Sequence, residues 1–207
     1  MADRTVLVTG FEPFAGASVN PSAEVAKALD GRRVGAWRVR AAILPVHHRG
    51  AAAVSRGLLD DLDPVAVVHL GLAAERAQIA LERIAINLMD YAIPDNEGVQ
   101  IIDQPCVPDG PAAYFSTLPL RLILDALRGA GVPAYLSATA GIYLCNFVLY
   151  TTLHALAARP GSTPAGFIHL PLLPSMIAPG DAQQPSMDLG LMLRGVELAL
   201  ETLAGSP

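Results

Sequence analysis

Three side chains that could together perform nucleophilic catalysis are spread along the chain, and the first is Cys145. It stands in the run AGIYLCNFVLY, which predicts a helix that begins near Tyr143. A thiol in the first turn of a helix lies near unpaired backbone N–H groups and the positive end of the helix dipole, which favour the reactive thiolate. Taken alone, the run is more typical of ordinary buried structure, because free cysteines pack like small hydrophobic residues.

A histidine and a glutamate could complete such a site. His169 ends the apolar run GFIH and precedes Pro171, where the chain must turn, so it is the best candidate for an imidazole that activates the thiol. Glu82 interrupts a predicted apolar strand, and its carboxylate could orient that imidazole. Periodicity equally allows Glu82 to face water beside Arg83. The other histidines are interpreted as structural or solvated: His47, His48, His69 and His154.

Predicted strands and helices alternate along the chain, which indicates how these residues are positioned. The strands are predicted over 5–9, 37–44, 64–71, 78–88, 132–137 and 166–170, and the helices over 20–31, 46–62, 118–129, 143–157 and 186–203. Residues 91–111, rich in Asp, Pro, Gly and Asn, are predicted to form an irregular excursion. The alternation predicts a single α/β domain over 1–207, with a mostly parallel twisted sheet between two helical layers, α/β/α. In such folds active sites gather at the carboxyl ends of strands.

Composition and charge exclude several classes of protein. The net charge of −5 over 207 residues argues against a nucleic-acid binder, which needs a basic face. No apolar run reaches the length of a membrane span, and the start MADRTVLVTG lacks the apolar core of a signal peptide, so we expect a cytoplasmic location. The two cysteines have neither disulfide-scaffold nor zinc-site spacing, and Cys106 is interpreted as structural.

Five segments together resemble the pyroglutamyl peptidase I family, also called the pyrrolidone-carboxylate peptidases. In order they are VLVTGFEPFAGASVNPS, ERIAIN, AIPDNEG, AGIYLCNF and GFIHLPLLP, and they span about residues 6 to 174. The resemblance implies a cytoplasmic cysteine peptidase that removes an N-terminal pyroglutamate from peptides, with an α/β/α single-domain fold, no metal or other cofactor, and usually a homotetrameric assembly. The family's catalytic cysteine, histidine and acid fall on Cys145, His169 and Glu82.

The resemblance also implies a substrate pocket. Phe11 and Phe14 of the GFEPF loop would cover the pyrrolidone ring, and Ile93, Tyr143 and Leu144 would line the rest. A pyroglutamyl end is a neutral lactam without a free amine, so an apolar, aromatic slot with a few hydrogen bonds suits it. The alternative for the two phenylalanines is core packing under the loop.

Two positions depart from the family pattern. Leu72 stands where the family usually has Gln, and Ala92 where it has Arg. Both missing side chains are associated with the oxyanion and its surroundings, and losing one oxyanion donor typically lowers turnover by roughly 10²–10³-fold. Two alternatives therefore stay open: a hydrolase with the same triad that acts on another small acyl or amide group, and a protein that binds lactam-ended peptides without turnover.

Overall fold

The computed structural model describes residues 4–178 and 183–206, and within them eight strands form one mixed sheet. The strands are β1 (Arg4–Phe11), β2 (Arg33–Val34), β3 (Trp37–Leu44), β4 (Ala66–Leu72), β5 (Ile79–Ile86), β6 (Ala113–Phe115), β7 (Ala134–Thr139) and β8 (Ala165–Leu170). The helices are α1 (Pro21–Leu29), α2 (His48–Leu62), α3 (Leu120–Gly129), α4 (Leu144–Ala157), α5 (Pro174–Ile177) and α6 (Leu189–Gly205). Strands and helices alternate as predicted.

The sheet is mostly parallel, with antiparallel pairs between β2 and β3, between β8 and β5 and between β5 and β6. Its order is β2-β3-β1-β4-β8-β5-β6, and β7 pairs with β5. The strands β3, β1, β4 and β8 run parallel to one another, β5 runs antiparallel to β8, and β7 runs parallel to β5. Helices α1 and α3 each pack on α6 and on the sheet, while α2 packs on α4. Two separate apolar clusters accordingly fill the two faces, which confirms the predicted α/β/α arrangement.

Several element boundaries follow from capping residues visible in the sequence. Asn20 caps α1, because its side chain accepts a hydrogen bond from the backbone N–H of Ser22 at 3.1 Å. The closing helix begins at Leu189 rather than at residue 186 as predicted, because Asp188 accepts hydrogen bonds from its first backbone N–H groups. The short elements β2, β6 and α5 were not predicted, since two to four residues are too few to show periodicity.

A buried polar chain ties α4 to the sheet. His69 of β4 hydrogen-bonds Thr9 of β1 at 2.7 Å and Thr152 of α4 at 2.9 Å, and Thr152 also contacts Ser55 of α2. Burial lowers the pKa of His69 to about 3, so its imidazole is neutral and acts as a connector. This agrees with the structural role expected for His69, and it fixes the helix that carries Cys145.

Within the described residues, none of the helices is both long enough and apolar enough to cross a membrane.

Candidate active site

Cys145 lies at the second position of α4, as the sequence predicted. The helix begins after Tyr143, whose side chain makes no capping hydrogen bond, so the first backbone N–H groups remain available to a ligand. The following residue, Asn146, anchors this helix end. Its side chain accepts a hydrogen bond from the N–H of Ile86 at 2.9 Å and donates to the carbonyls of Ile86 at 2.8 Å and Leu88 at 3.0 Å. The Asn of YLCNF therefore holds the cysteine in position against the end of β5.

The sulfur packs directly against the end of β4. A Cβ at Gly71 would lie 3.0 Å from Sγ of Cys145 and 2.7 Å from the ring of Phe167. Only glycine leaves room for both groups, so the close approach of the sulfur to the strand depends on this residue. The next residue, Leu72, lines the cavity in front of the thiol.

His169 and Glu82 meet across the antiparallel pair of β8 and β5. Residue 169 pairs with Ala80, which places Glu82 two residues along on the same face of the sheet. Nδ1 of His169 lies 2.7 Å from Oε1 of Glu82, and the exposed fractions of the two residues are 5% and 0%. The alternative that Glu82 faces water is therefore wrong. Because an ionised carboxylate can only accept, Nδ1 carries the proton and Nε2 is free to take another.

Burial sets the charge states of these groups. Burial alone would raise the pKa of Glu82, but the hydrogen bond and charge interaction with His169 and the hydrogen bonds of Ser137 and Arg76 together outweigh this and lower it. Burial lowers the pKa of His169 although Glu82 opposes the shift. Burial raises the pKa of the Cys145 thiol from 9.0 to about 12, with a further contribution from the charge of Glu82. A carboxylate, a neutral imidazole and a neutral thiol are the states expected at pH 7.

The raised pKa of Cys145 differs from the expectation of a thiolate at a helix start. A helix N-terminus stabilises a negative charge by about 0.3–1 kcal/mol, which is less than one pKa unit. The upward shift from 9.0 to about 12 is several times larger. Desolvation thus outweighs the helix dipole, and a neutral thiol is expected at pH 7.

We expect iodoacetamide to alkylate Cys145 more slowly than free cysteine at pH 7, with a rate that still rises above pH 9. The reason is that only the thiolate reacts, and the pKa of about 12 leaves little of it at neutral pH. The measurement is the rate of Cys145 modification by mass spectrometry between pH 6 and pH 10. The Cys145→Ala protein supplies the background from Cys106, whose pKa burial also raises to about 12. A rate that reaches a plateau below pH 7 would show a preformed thiolate and contradict the prediction.

A cavity of about 370 Å³ opens in front of Cys145 and His169. Four of the five residues predicted to bind substrate line it, namely Phe11, Phe14, Tyr143 and Leu144. The rest of the wall is formed by Asn20, Val46, Leu72, Ala73, Arg76, Thr139, Ala140, Gly141 and Ile142. Apolar side chains predominate, so the cavity suits a small, weakly polar group.

Ile93, the fifth predicted pocket residue, does not line the cavity. Its exposed fraction is 42%, and it belongs to the excursion that passes outside the cavity wall. The neighbouring carbonyl of Pro94 accepts a hydrogen bond from the hydroxyl of Tyr143 at 3.3 Å. Ile93 therefore lies beside a residue of the wall rather than in it.

The loop that carries Phe14 is held by two other residues of the matching motifs. Oε1 of Glu12 accepts hydrogen bonds from the N–H of Val46 at 2.9 Å and from Nδ2 of Asn96 at 3.0 Å. Nδ2 of Asn96 also donates to the carbonyl of Pro13 at 3.0 Å. The excursion therefore supports the aromatic loop, and the Glu of GFEPF and the Asn of IPDN position the pocket wall.

Replacing Asn96 with alanine is expected to raise KM for a lactam-ended substrate by roughly tenfold with little change in kcat. It removes two hydrogen bonds of about 1 kcal/mol each that order the aromatic loop. Gln104→Ala is the matched control, because Gln104 is an amide of the same excursion whose side chain donates to the carbonyl of Ile102 and not to the aromatic loop. Steady-state kinetics on both variants test this. Equal KM values for the two variants would contradict the assignment.

Arg76 lies in the cavity wall although the sequence analysis did not single it out. It follows β4 in the loop that leads to β5, and its Nη1 lies 2.5 Å from Oε1 of Glu82. One signal in the sequence could have pointed to Arg76. It lies six residues before Glu82, in the segment that departs from the family pattern. Spacing alone gave no reason to expect the ion pair, because it depends on how the loop returns over β5.

The two departures from the family pattern lie in different surroundings. Leu72 is part of the cavity wall next to Gly71 and Cys145, where its side chain can donate no hydrogen bond. Ala92 is exposed and is not among the residues that line the cavity. A direct effect on a bound group is therefore expected from Leu72 rather than from Ala92.

Comparison with known proteins places this arrangement in a family. A sequence profile described as pyroglutamyl peptidase matches residues 4–206. Pyrrolidone-carboxylate peptidase from Pyrococcus furiosus is 46% identical over 199 residues, covering 95% of this chain and 96% of that protein. The protein of the same name from Cupriavidus taiwanensis is 47% identical over 201 residues, covering 96% and 92%.

Solved structures agree with the sequence comparison. The pyrrolidone carboxyl peptidase of Thermococcus litoralis superposes with a TM-score of 0.94 at 40% identity, covering 97% of this chain and 93% of that one. A mutant pyrrolidone carboxyl peptidase from P. furiosus gives 0.95 at 43% identity, covering 98% and 100%. With a profile match over nearly its whole length and relatives well above 40% identity, the chain belongs to the pyroglutamyl peptidase family.

Proposed function

We propose that this protein is a cysteine peptidase that hydrolyses the amide bond after an N-terminal pyroglutamyl residue, with Cys145 as nucleophile, His169 as general acid and base, and Glu82 as the group that orients the imidazole. The observation that carries the proposal is that Cys145 and His169 line one cavity while Glu82 hydrogen-bonds the far nitrogen of His169. Membership of the pyroglutamyl peptidase family supports the substrate class.

The cavity wall supports recognition of a neutral ring. Phe14 and Tyr143 pack with ring centroids 6.4 Å apart, and Phe11 and Leu144 add apolar surface. A lactam ring has few polar atoms, so it would lose little hydration when it packs against these side chains. Its polar atoms would form hydrogen bonds with backbone groups. An aminopeptidase would instead need an acidic group to hold a free amine. Specificity for a blocked end follows from the apolar character of the wall.

The reaction begins with transfer of a proton from the thiol of Cys145 to Nε2 of His169, as the sulfur bonds to the pyroglutamyl carbonyl carbon. The C–N bond then breaks, and the imidazolium gives that proton to the departing amine. In the second half a water molecule loses a proton to Nε2 and attacks the thioester. The C–S bond breaks, the sulfur recovers a proton and the free acid leaves. Glu82 stabilises the transient imidazolium in both halves.

The oxyanion is proposed to be held by backbone N–H groups at the start of α4. These groups lie beside Sγ of Cys145 and have no capping side chain, and the dipole of α4 adds to their effect. Leu72 contributes no donor. Backbone donors are fixed by the helix itself, so they stay aligned without help from a side chain.

Release of a fluorophore from a pyroglutamyl amide by the purified protein tests the proposal. Turnover that disappears when Cys145 is replaced supports it. Binding of pyroglutamyl peptides without turnover, unchanged by that replacement, would instead support the non-catalytic alternative. The rate of thiol labelling does not separate these two outcomes, because a neutral thiol of raised pKa is expected in both.

A second candidate function keeps the same chemistry with a different acyl group. The observation that favours it is Leu72, which adds apolar surface to the cavity where the family usually has an amide. A panel of pyroglutamyl, prolyl, cyclic-imide and short acyl amides would discriminate, compared by kcat/KM. Preference for a less polar acyl group would favour this candidate, and turnover of pyroglutamyl amides alone would remove it.

Assembly and location are proposed from the family resemblance: a homotetramer in the cytoplasm. Large apolar side chains at the surface support association, with Phe115 68% and Ile102 61% exposed. Two free thiols, Cys106 and Cys145, suit a reducing compartment. Light scattering on a size-exclusion column tests the assembly, and a monomer at micromolar concentration would contradict it.

A further inference from the structure

Arg76 is the one arginine or lysine among the cavity-lining residues in the described part of the chain. The turn that carries it is closed by a hydrogen bond from its N–H to the carbonyl of Ala73 at 3.2 Å. Its guanidinium lies 6.0 Å from the ring centroid of Tyr135 on β7 and contacts Glu82 on β5. The backbone turn, the ring and the carboxylate hold this side chain from three directions although 28% of it is exposed.

Arg76 and His169 share a single oxygen of Glu82. Oε1 accepts from Nη1 of Arg76 at 2.5 Å and lies 2.7 Å from Nδ1 of His169. Oε2 is buried with no hydrogen-bond partner within 3.5 Å among the described residues, although Ser137, which pairs with Glu82 between β5 and β7, also lowers the pKa of this carboxyl. A buried carboxylate needs its charge compensated. When His169 is neutral it supplies a hydrogen bond but no charge, and Arg76 is then the cation in contact with Glu82.

We propose that Arg76 is a positioning residue for the catalytic triad, which fixes the orientation of the Glu82 carboxylate and through it the imidazole of His169. The expected effect of Arg76 on turnover rests on the proposed function, whereas its contact with Glu82 does not. Without Arg76, Oε1 would keep only one donor, and the carboxylate could rotate to present either oxygen to Nδ1. The Nε2 atom of His169 would then be aimed less closely at Cys145.

The same geometry makes Arg76 an electrostatic regulator of the pair. The groups that act on His169 are Glu82 from β5 and Arg76 from the preceding loop, and the thiol of Cys145 on α4 lines the same cavity. The charge of Arg76 lowers the pKa of both His169 and Cys145, so it opposes a permanent imidazolium and favours ionisation of the sulfur. Burial raises the pKa of the nearby Tyr91 and Tyr143, which therefore stay neutral.

The test compares Arg76→Gln, Arg76→Lys and Arg83→Gln. Arg83 is the matched control, because it follows Glu82 directly but lies exposed on the opposite face of the strand. For Arg76→Gln we expect kcat to fall by about 10²-fold, as for a misaimed catalytic group. We also expect the acidic limb of its kcat–pH profile to move to higher pH. The imidazole of His169 loses a repelling cation, so its pKa rises. Arg76→Lys should restore the position of that limb, and Arg83→Gln should match wild type.

Alkylation of Cys145 by iodoacetamide at pH 9 provides a second measurement that needs no substrate. We expect it to be slower in Arg76→Gln than in wild type and unchanged in Arg83→Gln. This keeps the inference testable even when the wild type turns over no pyroglutamyl amide. An acidic limb and an alkylation rate that both stay at wild-type values in Arg76→Gln would overturn it. Equal shifts in Arg83→Gln would do the same, since they would show a general charge effect.

Discussion

Replacing Cys145 with alanine is expected to lower turnover of a pyroglutamyl amide by about 10⁶-fold, the scale seen when a nucleophile is removed from a catalytic triad. Alanine provides no atom that can form the acyl intermediate. Binding should survive, because the aromatic wall is unchanged. The measurement is kcat by fluorophore release, with Kd for an uncleavable pyroglutamyl peptide by calorimetry.

Cys106→Ala is the matched control for that experiment. Cys106 is buried and also has a raised pKa, but its sulfur donates to the carbonyl of Ile86 at 3.5 Å and accepts from Nδ2 of Asn146 at 3.8 Å, and it is not among the residues that line the cavity. It is expected to keep kcat and to lose a little stability through the small cavity created. Retained turnover in Cys145→Ala, or loss of turnover in Cys106→Ala alone, would contradict the proposed nucleophile.

The sequence located the helix that carries Cys145 because local signals define it. An apolar run of helical length starts after Gly141, and both the run and the glycine were visible in the sequence without knowledge of the fold. The ionisation state of the thiol was not predictable in the same way. It depends on desolvation of the sulfur, which packs against Gly71 of a distant strand.

The orientation of Glu82 illustrates a second limit. Alternation along β5 fixes which residues share a face but not which face is buried, so both alternatives remained open. The antiparallel pairing with β8 decides it, since Ala80 pairs with His169 and a shift of one residue would turn Glu82 away. Contacts between distant segments, such as Asn96 with Glu12 or Arg76 with Glu82, are likewise products of topology.

Replacing Glu82 with glutamine is expected to lower kcat by roughly 10³–10⁴-fold, close to the effect of neutralising the acid of a serine protease triad. The amide has the same shape but cannot stabilise the imidazolium that forms during attack. It also leaves the charge of Arg76 without its partner, in a site where that charge is partly buried. The measurement is kcat and kcat/KM for a pyroglutamyl amide across pH 5 to pH 9.

The direction of the pH shift separates this role from a merely structural one. The charge and hydrogen bond of Glu82 raise the pKa of His169, so their removal should move the acidic limb to lower pH. Arg76→Gln should move the same limb to higher pH, because Arg76 acts on the imidazole with the opposite sign. Glu82→Asp keeps the charge but shortens the reach, and it should leave the limb nearer to wild type while kcat still falls. A limb that moves the same way in Glu82→Gln and Arg76→Gln would contradict the opposed roles assigned to the two side chains.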